Sequence, residues 1–200
     1  MGLPTGLETD NWPLVEAKWF TDIIGTQRKV RLVVIHTMEA PETDNTAENV
    51  AKFFQSLPAN RKASAHLCID NNSIVQCVRD NDVAFAAPGA NRDGIHLELA
   101  GFASQSSADW SDDYSKAVLN NAANAAAQYC LKYGLPRKHL SNAELKDGDE
   151  GIIGHVQASE VYKKSDHTDP GGNFPWKDFI ALVDKHYLER RKSLDLPPPL

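Results

Sequence analysis

The strongest apolar run spans residues 30–35, Val-Arg-Leu-Val-Val-Ile, and closes on His36. A β-branched run with little polar alternation predicts a buried central strand. Residues 37–45 read as a loop. Residues 46–57 read as a helix carrying Ala47, Val50, Ala51, Phe53 and Phe54 on one side, with Pro58 after its end. Segments 65–69 and 74–78 enclose Asp70-Asn71-Asn72-Ser73, a hairpin signal. A two-residue turn at Asn71-Asn72 sets Cys68 opposite Val75 and Cys77 opposite His66. Residues 82–86 suggest another short strand. Residues 95–100 alternate, with Ile95, Leu97 and Leu99 on one side and His96, Glu98 and Ala100 on the other.

An Ala-rich helix is expected over 111–133, capped by Ser111 and ended by Gly134 and Pro136. Ser141-Asn142-Ala143-Glu144 has capping-box form and predicts a short helix. Ile152 and Ile153 lead as a short strand into His155. Pro175 opens a last helix to about Arg190, with Phe179, Leu182, Val183 and Tyr187 as its core stripe. The order of elements predicts an α/β domain with a mixed central β-sheet flanked by helices. Residues 1–28 are expected to form an irregular arm that packs on the core through Trp12, Trp19 and Phe20. The domain body is then 29–190, and 191–200 a Pro-rich tail or linker.

Composition narrows the function classes. Two hundred residues suit one domain, and 42% hydrophobic with 24% charged residues is ordinary for a soluble globule. Net charge is −6, with one small basic cluster at residues 189–192, so a nucleic-acid partner is not expected. No apolar stretch reaches membrane-spanning length, and no membrane partner is expected. The N-terminus lacks a basic start followed by an apolar block, so a secretory signal is not expected. The three cysteines include no Cys-x-x-Cys pair and are expected to be reduced and buried.

The chemistry concentrates in residues 154–176, which hold His155, His167, Asp169 and several glycines. His36 and His155 both end apolar strands. Each reads either as a core histidine satisfied by backbone or as a ligand. Asp169 precedes Pro170-Gly171, where an Asp often only makes a turn. Two strand-end imidazoles and a carboxylate could together hold a catalytic zinc with one open position. Glu98 is either a solvated carboxylate or an acid/base in a cleft. His167 lies two residues before Asp169, close enough to reach a metal-held substrate. His66 and His96 are expected to be structural, and His139 and His186 exposed.

Four segments, in order, resemble the type 2 N-acetylmuramoyl-L-alanine amidase family, which includes AmpD, phage amidase lysins and peptidoglycan-recognition proteins. They are Leu32-Val33-Val34-Ile35-His36; residues 64–69 with partner 73–76; residues 94–101; and His155 through Thr168-Asp169-Pro170-Gly171-Gly172-Asn173-Phe174-Pro175-Trp176. The resemblance spans roughly residues 28–188. It implies a zinc hydrolase with His36, His155 and Asp169 as ligands and Glu98 as catalytic glutamate. The lysozyme-type branch instead has a tyrosine before the hairpin histidine, where this chain has Ala65, so the chain resembles the glutamate-using, AmpD-like branch. His167 stands where many catalytic members carry lysine. Phe85-Ala86-Ala87-Pro88-Gly89 replaces the Trp-His-Ala-Gly of AmpD-like enzymes, so the cleft wall differs. The implied reaction splits the amide between N-acetylmuramic acid and L-alanine in peptidoglycan or muropeptide. The implied settings are a phage endolysin, made in the cytoplasm and acting on the wall after release, or a cytoplasmic muropeptide-recycling amidase. A non-catalytic peptidoglycan-recognition module is the alternative, and a monomer is expected.

Overall fold

In a computed structural model, residues 12–196 are described. Residues 1–11 of the expected arm and 197–200 of the expected tail lie outside them. The strands are β1 (Phe20–Thr21), β2 (Leu32–Thr37), β3 (Leu67–Ile69), β4 (Ile74–Gln76), β5 (Val83–Ala84), β6 (Gly94–Leu99) and β7 (Gly151–Gly154). The helices are α1 (Thr46–Ser56), α2 (Asp113–Tyr133), α3 (Asn142–Asp147), α4 (His155–Tyr162) and α5 (Trp176–Ser193). The main sheet runs β4-β3-β6-β2-β7. β3, β6, β2 and β7 are parallel, and β4 adds an antiparallel edge through the expected hairpin. The fold is therefore α/β around a mixed sheet.

Alternation along the strands divides the core. Val33, Ile35, Leu67, Ile69, Ile95, Leu97, Leu99 and Ile152 form one cluster with residues of α2 and α5. On the opposite face, Cys68 and Val75 pack with Ala47, Ala51 and Phe54 of α1. Leu32, Val34 and Ile153 pack with Leu145 of α3 and Ala158 of α4. Between these two smaller clusters, at the C-terminal ends of β2 and β6, stand His36 and Glu98. Parallel register makes them neighbours, because His36 pairs with Glu98. Strand ends in such sheets are where crevices open.

The first described residues close the sheet's edge. Val15 N donates to Gln76 O at 2.9 Å, Gln76 N to Pro13 O at 2.9 Å, and Ala17 N to Cys77 O at 2.8 Å. The exposed ladder of β4 is thereby paired, which removes a template for association. Trp19 and Phe20 pack against the α1 cluster, and β1 pairs with β5.

Several expectations change. No helix was expected directly after β7, yet α4 begins at His155 itself and runs to Tyr162, capped by Lys163 at φ +56°. The helix is two turns long with Gln157 and Ser159 among its buried residues, so no apolar period marked it. The cap of α2 is Asp112, whose side chain accepts from Ser115 N; Ser111 instead ends a short 3₁₀ turn, Asp109–Ser111. α5 continues to Ser193, so the start of the expected tail is helical. Phe53 is exposed rather than part of the core face of α1. His139 stacks on Trp176 at 3.7 Å, and His186 is half-buried, so neither is an exposed histidine. Cys68, Cys77 and Cys130 are all free and buried, and Cys68 lies opposite Val75.

Candidate metal centre

Three chain segments bring His36, His155 and Asp169 together. β2 delivers His36, the first turn of α4 delivers His155, and the loop before α5 delivers Asp169. The Asp169 backbone oxygen accepts from Val156 N at 2.9 Å, which ties that loop to the start of α4. Gly171, at φ +92°, lets the chain turn where a Cβ would meet Ala103 O at 1.9 Å. His36 Nδ1 lies 3.1 Å from Asp169 Oδ2, and His155 Nδ1 lies 3.3 Å from Asp169 Oδ1. One ligand atom from each residue falls within 4.8 Å of the others, and all three residues are buried. Two imidazole nitrogens and one carboxylate form a donor set that suits a tetrahedral zinc ion with its fourth position open. The outer nitrogens also have partners. His36 Nε2 is 3.1 Å from His96 Nδ1, and His155 Nε2 is 3.4 Å from Ser165 Oγ. Such contacts orient metal ligands.

The charges agree with this grouping. Burial would raise the Asp169 carboxyl, but bonds to His155 and His36 outweigh it and hold the group well below the usual carboxylate range. Burial works against a charged His36, yet the Asp169 bond and the charges of Glu98 and Asp169 raise its pKa. Burial pushes Glu98 up to about 7, opposed by His36 and reinforced by Asp169 and Glu39.

A cavity of about 470 Å³ opens over these groups. His36, Glu98, His155, His167 and Asp169 line one part of it, and Met38, Phe53, Arg61 and Lys62 line another. His167 is exposed, stacks on His155 at 4.1 Å and places Nδ1 3.2 Å from Asp169 Oδ1. All five residues singled out in the sequence thus meet at one cavity. The wall residues Met38, Phe53, Arg61 and Lys62 carried no signal of their own.

Comparisons with known proteins identify the family and the fold. The family model described as N-acetylmuramoyl-L-alanine amidase matches residues 26–172. No curated protein sequence matches the chain. Among solved structures, the Staphylococcus aureus hydrolase AmiA in complex with its ligand is similar with a TM-score of 0.67 at 19% identity, over 96% of this chain and 89% of that one. A selenomethionine derivative of AmpD gives a TM-score of 0.59 at 18% identity, over 88% and 97%. A mutant endolysin from Bacillus subtilis gives 0.51 at 14% identity, over 86% and 99%. At such identities the likeness is one of fold.

Proposed function

Because the chain belongs to the N-acetylmuramoyl-L-alanine amidase family, we propose that it hydrolyses the amide joining N-acetylmuramic acid to L-alanine in peptidoglycan, with zinc held by His36, His155 and Asp169. The observation that carries this reading is the convergence of those three donors with Glu98 in a single cavity. A bound zinc supplies Lewis acidity, polarising a carbonyl and acidifying water.

The chain's own residues do the rest. Glu98, with a carboxyl raised to about 7, accepts a proton from the attacking water. The water oxygen bonds to the lactyl carbonyl carbon. The carbon–nitrogen bond then breaks, and Glu98 returns the proton to the leaving amine. His167, at the exposed rim, donates to the carbonyl oxygen as negative charge builds there. One such donor is typically worth about 3 kcal/mol of barrier. Arg61 and Lys62 put positive charge on the cavity wall, where carboxylates of a stem peptide can be drawn in. His167→Ala is therefore expected to lower turnover roughly 100-fold with zinc content unchanged, and His167→Lys to recover most of it. Wild-type turnover in His167→Ala would remove His167 from the mechanism.

The setting we favour is a phage endolysin or its catalytic domain. A cytoplasmic muropeptide-recycling amidase is the alternative setting. A non-catalytic recognition module fits less well, because a donor is present at each of the three ligand positions. Mass spectrometry of products from purified cell wall and from soluble muropeptide, with and without a chelator, tests these readings together. Free stem peptide released from intact wall, lost on chelation and regained with zinc, is the expected result. Release from soluble muropeptide alone would favour recycling. No release from either would overturn the hydrolase reading.

A further inference from the structure

Three fully buried imidazoles stand in file on one face of the sheet. His66 lies just before β3, His96 in β6 and His36 in β2. The His66 and His96 rings stack at 5.6 Å, and those of His96 and His36 lie 5.3 Å apart. Only His36 belongs to the candidate metal centre.

Hydrogen-bond polarity can be followed from both ends. At the far end, the His96 backbone N–H donates to His66 Nδ1 at 3.0 Å. His66 Nδ1 is thus an acceptor, and its ring proton sits on Nε2, 3.1 Å from the Asp82 carbonyl oxygen. Arg28 Nη2 also lies 2.8 Å from Nε2, but a guanidinium only donates, so with the ring proton on Nε2 this is a close packing contact and not a second hydrogen bond. These contacts hold His66 as a fixed stop behind His96. At the near end, His36 Nδ1 faces Asp169 Oδ2 at 3.1 Å and is the nitrogen available to a metal. A neutral imidazole that ligates through Nδ1 carries its proton on Nε2. His36 Nε2 is 3.1 Å from His96 Nδ1, so His96 must accept there and keep its own proton on Nε2.

His96 Nε2 has no hydrogen-bond partner among the described residues. A buried polar atom left unpaired costs about 1–3 kcal/mol. An apolar side chain would fill the site without that cost, so packing alone does not account for an imidazole here.

We propose that His96 is a positioning residue for the metal centre: its Nδ1 accepts the His36 Nε2–H bond and fixes the ring orientation and tautomer that present His36 Nδ1 to the ion. This inference rests on the zinc reading above. It assigns a task to a residue that touches neither metal nor substrate.

The test measures zinc affinity by competition with a chromophoric chelator, and the visible absorption of the cobalt-substituted protein, for wild type, His96→Leu and His96→Asn. Loss of an outer partner typically weakens metal binding about 10–100-fold. His96→Leu is expected to show that loss and an altered cobalt spectrum. His96→Asn, whose Oδ1 falls near the place of the lost Nδ1, is expected to recover most of both. Wild-type affinity and spectrum in His96→Leu would overturn the proposal, as would a folded His96→Asn no better than His96→Leu. If His96→Leu does not fold, long-range proton–nitrogen spectra of the zinc-loaded wild type decide. An unprotonated His96 Nδ1 supports the proposal, and a protonated one overturns it. A wild-type protein that binds no zinc fails the metal reading itself and this inference with it, whereas zinc binding indifferent to residue 96 fails this inference alone.

Discussion

Asp169→Ala should strip the protein of zinc and bring hydrolysis to background. Asp169 is the hub of the site. It lies within 3.3 Å of His36, His155 and His167, and it is the only anion among the three proposed ligands. Its removal leaves two neutral imidazoles, losing both a donor and the negative charge that offsets the ion. The effect should exceed the roughly 10–100-fold weakening that follows loss of an outer contact. The backbone should survive, because the bond that ties this loop to α4 uses the Asp169 carbonyl oxygen and not its side chain. Metal analysis after gel filtration, beside circular dichroism, reads both effects. A folded Asp169→Ala that keeps one zinc per chain would show that the ion is held elsewhere. Asp169→Asn retains shape but not charge, and separates loss of the anion from loss of the side chain.

Part of this site could be seen in the sequence because local pattern carries it. The apolar run at 30–35 and the alternation at 95–100 locate His36 and Glu98 on strands, and parallel register alone then makes them neighbours. The convergence of His36 with Asp169 was a different matter. They are 133 residues apart, and no spacing rule spans such a gap. The composition of residues 154–176 marked Asp169 as chemically interesting, the family resemblance implied it as a ligand beside His36, and the fold carries it to β2. α4 escaped because its two turns bury Gln157 and Ser159, which imitate a polar loop. Asp112 rather than Ser111 caps α2 because Ser111 is already committed to a 3₁₀ turn, and either residue satisfies the same cap preference. The wall of the cavity was unreadable for a related reason. Phe53 has the apolar character of the α1 core face, but it sits at the margin of that face and looks into the cavity.

Glu98→Gln should leave zinc in place and remove most of the turnover. The amide keeps the shape of the carboxylate but can neither take nor return a proton. A positioned acid/base group typically contributes about 10²–10⁴ in rate, and a loss in that range is expected. The contrast with Asp169→Ala is the informative part, since one variant loses metal and rate together and the other loses rate alone. The pH profile adds a second check. As the base, Glu98 must be ionised, so activity should rise as pH climbs through its pKa. Burial lifts that pKa to about 7, and the positive charge of a bound zinc lowers it, which puts the acid limb below neutral. Stability should move the other way. The folded pKa of Glu98 lies above the ordinary carboxyl value of 4.5, so the folded state binds more protons than the unfolded state between 4.5 and about 7. Stability of the chelator-treated protein from this group therefore falls as pH rises through that window and stays lost above it. Glu98→Gln, with no charge to bury, should melt higher than wild type at pH 8 and lose that advantage near pH 4. A variant with wild-type turnover would take Glu98 out of the reaction. Unchanged melting at pH 8, with turnover lost, would keep Glu98 in the reaction while denying that burial strains its carboxylate.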